Sequence, residues 1–210
     1  MNSTSITENT SSIKSTITDV KQLVKVGLSL SVVFSSVAGY LLAVETVNYV
    51  TLTLLAFGGF LMVGASNAFN QIIEIDTDAL MQRTKSRPLP TGRMSVNLAL
   101  TIAILFAVIG LGILYYINAK SALFGAISIF LYTSAYTPLK SVTPLTVFVG
   151  AIPGAIPFML GWVAATNQFG IEAGILFMIQ FFWQFPHFWS IGWLQDEEYK
   201  KAGFNMLPMN

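Results

Sequence analysis

The chain has 210 residues, of which 54% are hydrophobic and only 10% charged, whereas a soluble domain carries roughly 25% charged residues. With a mean hydropathy of +0.66, this composition excludes an ordinary soluble domain and predicts an integral membrane protein. The net charge of +1 and the lack of a basic, aromatic face give no indication of nucleic-acid binding. The absence of cysteine excludes a disulfide framework and thiolate metal sites, and leaves the redox compartment open.

Residues 1–22 are rich in Ser and Thr, contain no apolar run, and predict a disordered cytoplasmic tail. Residues 23–210 predict one all-α membrane domain, a bundle of transmembrane helices around a central cavity. A spanning helix needs about 20 mostly apolar residues, and six stretches are candidates, of which the fourth is short. The predicted spans are 26–44, 49–67, 98–117, 122–136, 143–164 and 171–194.

The distribution of basic residues predicts the orientation of these spans. If the N-terminus is cytoplasmic, every Lys and Arg except Lys120 falls on the cytoplasmic side, as the positive-inside rule requires. The same orientation places the 70–93 loop, the loop at Lys140 and the segment after Leu194 on one face. Residues from these three segments are therefore expected to meet.

The segment 70–93, NQIIEIDTDALMQRTKSRPLPTGR, follows the second span. It is rich in charged residues, with three acids at 74–78 followed by four basic residues at 83–93. If the helix continues beyond the membrane, Asn70, Glu74 and Asp78 lie at i, i+4 and i+8 and form one stripe, with Asp76 pointing away. The carboxylates of Glu74 and Asp78 would be close enough to repel each other, and a divalent cation between them would remove the repulsion. Magnesium suits such a site, because it takes one or two carboxylates together with water and phosphate oxygens.

A second acidic cluster follows the sixth span as the first follows the second. Its members are Asp196, Glu197 and Glu198. The repetition indicates an internal duplication whose two halves face one site, where the two clusters could hold two ions bridged by a diphosphate.

Basic residues beside the first cluster indicate an anionic ligand. Arg83, Lys85 and Arg87 are suited to neutralise a departing diphosphate, Arg through its planar fork and Lys as a point charge. The alternative interpretation is a solvated loop that simply obeys the positive-inside rule.

The single histidine, His187, lies in the aromatic run FFWQFPHFW near the cytoplasmic end of the sixth span. Imidazole is a frequent ligand of haem iron, and aromatic walls suit a porphyrin face. The alternative is a histidine in an interfacial aromatic belt, where Trp183, Trp189 and Trp193 would lie in any case.

These residues also resemble a known family. The segment 70–92 is similar to the first aspartate-rich motif, NxxxDxxxD followed by RTxxRP, of the UbiA-type membrane prenyltransferases. Three stretches resemble the protohaem IX farnesyltransferase branch of that superfamily, and the resemblance extends from the first span to the C-terminus. They are YTPLKSVTPLTVFVGAIPGAIPFMLGW at 136–162, QFPHFW at 184–189 and DEEYKKAGFNMLP at 196–208.

The resemblance implies a fold of about nine transmembrane helices, so a domain at 23–210 would lack the last of them. It implies a Mg²⁺-dependent transfer of farnesyl from farnesyl diphosphate to a vinyl group of haem b, giving haem O for haem A and cytochrome oxidase biogenesis. The partners implied are these two substrates, the lipid bilayer and haem A synthase, and the location implied is the bacterial inner membrane. It adds Lys140 and Tyr199 to the diphosphate-binding residues and His187 to haem binding. It also implies that Asp196 and Glu198 join the stripe as metal ligands. The catalytic set is then Asn70, Glu74, Asp78 and Glu198.

The departures from the family pattern are few. Glu74 and Glu198 stand where Asp is common, and the longer side chain can still ligate a metal. Ser141 replaces a frequent Arg, which removes one diphosphate contact. The alternatives left open are a prenyltransferase that uses a quinone precursor, a non-catalytic haem-binding membrane protein, and a transporter.

Overall fold

The computed structural model describes residues 15–207, and every regular secondary-structure element within that range is a helix. The all-α fold predicted from the sequence is thus confirmed. A π-helical turn, Leu131–Tyr136, joins α6 to α7. The α-helices are α1 (Ser15–Leu23), α2 (Val26–Leu42), α3 (Tyr49–Ile73), α4 (Ile75–Leu80), α5 (Val96–Ile117), α6 (Ala119–Phe130), α7 (Thr137–Leu139), α8 (Thr146–Thr166), α9 (Ile171–Leu194) and α10 (Asp196–Lys201).

Four helical stretches of the described chain are long and apolar enough to cross a membrane: α3, α5, the continuous stretch Ala119–Leu139, and α8. Helices α1 and α2 would form a fifth span together, bent by 46°. The α9 helix has 24 residues and the bounds predicted for the sixth span, but its Gln, Trp and His side chains lower its hydropathy. The apolar helices fit a multi-pass membrane protein, and the count of six spans stays a prediction.

Local capping explains where several helices begin. The Asn48 side chain accepts hydrogen bonds from the Val50 and Thr51 amides, both 3.1 Å long, at the start of α3. Ser95 caps α5 through the Leu98 amide, and Asn118 caps α6 through the Ser121 amide at 2.8 Å. Such side chains satisfy backbone donors that the first turn leaves without partners, so the short polar loops fix the ends of the apolar stretches.

The N-terminal segment differs from the prediction of a disordered tail over residues 1–22. Residues 15–22 belong to α1, so the prediction was wrong for them, and residues 1–14 lie outside the described part. The Asp19 carboxylate pairs with the Arg93 guanidinium at 3.0 Å, and Gln71 donates a 2.6 Å hydrogen bond to the Leu23 carbonyl. These contacts with distant residues hold α1 in place, and a local reading of composition does not reveal them.

The α8 helix packs between α2 and α9, while α3 packs mainly against α5. The closest approach joins α2 to α8. A Cβ atom added at Gly39 would lie 2.0 Å from the Phe158 carbonyl oxygen, and one added at Gly161 would lie 2.0 Å from the Ser36 carbonyl oxygen. The two backbones are therefore in direct contact, as small residues allow in membrane bundles.

Candidate functional site

A large cavity opens at the end of the bundle that carries the 81–93 loop and α10. The cavity volume is about 580 Å³, within the roughly 300–1,000 Å³ of an ordinary small-molecule pocket. Charged and aromatic side chains surround the mouth. The deeper wall is formed by small and apolar residues of α2, α3 and α8, among them Leu28, Val32, Val63, Pro153 and Pro157.

The predicted stripe Asn70, Glu74 and Asp78 lies on the wall of this cavity. The helix breaks at Glu74, yet the Glu74 amide still bonds to the Asn70 carbonyl at 3.0 Å and the Asp78 amide to the Glu74 carbonyl at 2.7 Å. The spacing of an α-helix therefore continues across the break. All three residues are buried and Asp76 is exposed, so the predicted division between the stripe and Asp76 is confirmed.

Each residue of the stripe contacts one basic side chain, and the three bases come from different parts of the fold. Lys140 Nζ lies 2.7 Å from Glu74 Oε1, and an Arg87 guanidinium nitrogen lies 2.5 Å from Asp78 Oδ2. Lys25 Nζ donates to Asn70 Oδ1 over 3.4 Å. No site role was predicted for Lys25, which lies in the left-handed conformation between α1 and α2 (φ 46°).

The orientation of the Asn70 amide follows from its other neighbour, Thr137. The Thr137 hydroxyl donates its proton to the Tyr132 carbonyl at 2.8 Å, so it can only accept from Asn70. The Asn70 Nδ2 group donates to that hydroxyl at 3.3 Å. The Asn70 oxygen is thereby directed toward Lys25 and is available as a ligand atom.

The Asp78 carboxylate is the most deeply placed of the acids, with no exposed surface. Burial raises the pKa of this carboxyl above its ordinary value, and the charge and hydrogen bond of Arg87 act in the opposite direction. The second oxygen, Oδ1, is buried and has no hydrogen-bond partner among the described residues. A buried carboxylate oxygen without a partner is costly, and a cation would satisfy it.

The donor set fits a divalent cation. Asn70, Glu74 and Asp78 all line the cavity, and a hard cation such as Mg²⁺ takes amide and carboxylate oxygens of this kind as ligands. Within residues 15–207, no group of three or more Asp, Glu, His or Cys side chains is arranged to hold a metal alone. Water or phosphate oxygens would complete the coordination, as is usual for Mg²⁺.

The second acidic cluster reaches the same end of the bundle, but its carboxylates are engaged elsewhere. Glu198 accepts a 2.5 Å hydrogen bond from the Gln82 amide and pairs with Lys201 at 2.8 Å. The hydrogen bond from Lys201 and that from the Gln82 amide lower the pKa of the Glu198 carboxyl. Asp196 pairs with Lys200 on its own helix at 2.7 Å. The cavity lining includes Tyr199 but neither acid, so the structure does not bring Asp196 and Glu198 to the Asn70 stripe.

The predicted diphosphate-binding residues also divide into two groups. Arg83, Arg87, Lys140 and Tyr199 line the cavity. Lys85 is exposed and is not part of the wall. Lys140 is the most enclosed of the bases, because its ammonium lies 4.7 Å from the centre of the Tyr136 ring and 5.6 Å from that of Phe204.

An aromatic wall faces the charged stripe. The Tyr132 and Tyr136 rings, on the π-helical turn, lie 5.2 Å apart, and Tyr136 lies 5.6 Å from Phe188. Gly150 makes room for this arrangement, since a Cβ atom there would lie 2.5 Å from the Tyr136 ring. His187 lines the same cavity, with its ring 5.8 Å from Phe188.

The segment after α10 covers part of the mouth. The Asn205 amide donates a 2.6 Å hydrogen bond to the Lys140 carbonyl, and Phe204 and Met206 line the cavity. Sequence reasoning missed these residues, together with Lys25, Tyr132 and Gln184. The only indication of a role for Lys25 in the sequence is its position as a basic residue directly before the apolar run of the first span.

The sequence model of the UbiA prenyltransferase family matches residues 32–210. The chain belongs to this family. A protoheme IX farnesyltransferase of Flavobacterium psychrophilum is 68% identical over 199 residues, which are 93% of this chain and 66% of that protein. The chain thus spans about two thirds of the length of the curated relatives it matches.

Solved structures support the UbiA fold. The chain superposes with a TM-score of 0.79 on a structure from a study of digeranylgeranylglyceryl phosphate synthase in membranes, with 22% identity over 92% of this chain and 68% of that one. A UbiA homologue from Archaeoglobus fulgidus bound to GPP and Mg²⁺ gives a TM-score of 0.71 at 19% identity, over 88% of this chain and 66% of that one.

Proposed function

We propose that this UbiA-family chain carries the diphosphate site of an enzyme that transfers farnesyl from farnesyl diphosphate to a vinyl group of haem b, giving haem O in a Mg²⁺-dependent reaction. The acceptor is inferred from relatives named protoheme IX farnesyltransferase. The observation that carries the proposal is the buried stripe of Asn70, Glu74 and Asp78, each in contact with one base, at the mouth of a deep apolar cavity.

The basic side chains have the clearest chemical role. In a prenyl transfer the allylic C–O bond breaks, the electron pair leaves with the diphosphate, and negative charge grows on its oxygens. Lys25, Arg83, Arg87 and Lys140 line the cavity and would donate hydrogen bonds to those oxygens, with Tyr199 beside them. Preorganised donors at a site of developing charge provide a large part of enzymatic rate enhancement.

Asn70, Glu74 and Asp78 would hold Mg²⁺, which when bound withdraws charge from the diphosphate. The UbiA homologue from Archaeoglobus fulgidus that is bound to GPP and Mg²⁺ supports this assignment. Asp196 and Glu198, proposed as ligands from the sequence, would have to leave Lys200 and Gln82 to take part.

The apolar depth of the cavity suits the isoprenoid chain, and its walls exclude water from the allylic cation. The cation then alkylates the haem vinyl group. The new cationic carbon takes a hydroxyl group from water, with release of a proton, which gives the hydroxyethyl-farnesyl substituent. His187 and Phe188 lie where the cavity wall is aromatic, and we assign haem contact to His187.

Haem O would be passed to the enzyme that makes haem A, so haem A synthase is the partner we propose, in the bacterial inner membrane with the N-terminus cytoplasmic. A transporter is disfavoured because the charged residues gather at one end of the bundle, whereas ion paths carry charge at mid-depth.

The test uses the chain in membranes supplied with haem b, farnesyl diphosphate and Mg²⁺, with mass spectrometry of extracted haem. A haem heavier by one farnesyl group and one hydroxyl group is expected. Asp76→Asn provides a matched control for Asp78→Asn, because Asp76 is exposed and only two residues away, and this variant should still give product. A prenylated product with an added quinone precursor, and none with haem, would assign the chain to the other acceptor class.

A further inference from the structure

Each residue of the stripe has one side-chain oxygen in contact with a base. Glu74 Oε1 contacts Lys140, Asp78 Oδ2 contacts Arg87, and Asn70 Oδ1 contacts Lys25. Each base comes from a different segment: the α1–α2 junction, the end of α7, and the loop after α4. Every residue of the predicted metal site is therefore already in contact with a basic side chain of the protein.

The net charge of the cavity disfavours the binding of a metal ion alone. Its wall carries two acids, Glu74 and Asp78, against four bases, Lys25, Arg83, Arg87 and Lys140, an excess of two positive charges. A divalent cation would double that excess in a partly buried site, where charges interact more strongly than in water. A prenyl diphosphate brings roughly three negative charges, since the second ionisation of a phosphate falls near pH 6, and reverses the balance.

We propose that the metal binds this site appreciably only together with the diphosphate, and that Lys25, Arg87 and Lys140 exchange partners when it does. In the structure the bases hold the carboxylate and amide oxygens. On binding, the cation takes over those oxygens and the bases turn to the diphosphate. This inference rests on the proposed function, and it makes Lys25 a positioning residue of the site.

The surroundings of two bases suit such an exchange. Lys140 keeps favourable contacts after leaving Glu74, because the Tyr136 and Phe204 rings face its ammonium at 4.7 and 5.6 Å and aromatic faces attract cations. Lys25 has the longest bond of the three, 3.4 Å, and its partner is an uncharged amide. Thr137 holds the other side of that amide, so the Asn70 oxygen stays in place when Lys25 leaves.

The experiment measures Mn²⁺ binding by electron paramagnetic resonance, with the purified chain in lipid nanodiscs and inorganic pyrophosphate as the second ligand. Wild type is expected to bind Mn²⁺ alone weakly, and to bind it more tightly with pyrophosphate by roughly 5- to 150-fold, the range of coupled sites. The complex of Mn²⁺ and pyrophosphate in solution is measured separately and subtracted. Pyrophosphate binding must strengthen by the same factor when Mn²⁺ is present, because coupling is reciprocal.

Variants separate base exchange from simple charge attraction. Lys140→Met should strengthen the binding of Mn²⁺ alone and weaken that of pyrophosphate alone, so that the coupling falls. Lys25→Met should act in the same direction, and it leaves no unpaired carboxylate that would endanger folding. Lys120→Met is the matched control, since Lys120 bonds to the Asn167 carbonyl and lies outside the cavity wall; it should change neither affinity.

The outcomes distinguish this inference from the proposed function. Tight Mn²⁺ binding without pyrophosphate, or unchanged Mn²⁺ binding in both Lys25→Met and Lys140→Met, would overturn the exchange while leaving the enzyme assignment in place. A wild-type chain that binds neither ligand, alone or together, would overturn both. Circular dichroism of each variant establishes that it is folded before its affinities are compared.

Discussion

The two acidic clusters have similar composition and opposite surroundings. Glu74 and Asp78 are buried and pair with bases that are 66 and nine positions away in sequence. Asp196 and Glu198 lie on a six-residue helix and pair with lysines three or four positions away. A long-range pair between buried groups fixes a site, whereas a local pair on an exposed helix contributes little. Similarity of sequence between the clusters therefore does not imply equal roles.

The largest expected difference between the clusters is in product formation. Asp78→Asn should lower it by at least roughly 100-fold, as loss of a group that stabilises transition-state charge typically does, while Asp196→Asn should change it less than twofold. Product is measured by mass spectrometry of haem from membranes containing each variant. Equal losses in the two variants would return Asp196 to the metal site and remove the distinction.

Stability should separate the clusters in the same direction. Glu74→Gln leaves the buried Lys140 without its carboxylate, and breaking a buried pair from one side costs about 3–5 kcal/mol. A clearly lower Tm is expected, measured by thermal unfolding in detergent. The comparison variant is Asp196→Asn, which disrupts an exposed pair and should leave the Tm unchanged. A Tm for Glu74→Gln equal to that of wild type would mean that the Lys140 pair is not formed.

The same contrast between cavity wall and outer surface applies along α9. His187→Ala should weaken haem binding roughly tenfold, by the loss of one contact of about 1.4 kcal/mol, and should weaken farnesyl diphosphate binding less. Trp193→Ala removes an exposed side chain of the same helix that is not part of the cavity wall and serves as the control. Haem titration followed by absorbance provides the measurement, and a stronger effect on farnesyl diphosphate would reassign His187.

The smallest effect is expected from Glu198→Ala. This change removes the acceptor of the Gln82 amide and should loosen the connection between α10 and the loop that carries Arg83 and Arg87. Hydrogen exchange at Gln82 should accelerate while the Tm stays constant, and turnover should fall a few-fold. A loss as large as that of Asp78→Asn would show that Glu198 acts at the reacting group after all.

The sequence predicted what depends on spacing within one helix. The Asn70, Glu74 and Asp78 stripe and the outward position of Asp76 follow from helical periodicity, which continues across the break at Glu74. The approximate positions of the helices follow from apolar runs of the right length. Both are local properties that a single sequence contains.

Features that depend on contacts between distant segments were not predictable in this way. Lys25 reaches Asn70 because the chain takes a left-handed conformation between two helices, and no residue type there requires it. The helix α1 is held by contacts with distant residues, both the polar ones of Arg93 and Gln71 and the packing of its buried Leu23. Glu198 contacts Gln82 because α10 folds across the mouth, so its partner lies 116 positions away.

The π-helical turn Leu131–Tyr136 determines the rotation, about the helix axis, of the residues that follow it on the same helix. One extra residue in a turn rotates the next segment by about 100° relative to a regular α-helix. With regular winding, Thr137 and Lys140 would face away from Asn70 and Glu74, their present partners. The single wide turn thus changes the direction in which the last residues of the helix point. A helix whose outer side meets lipid can therefore end with polar residues that contact the stripe.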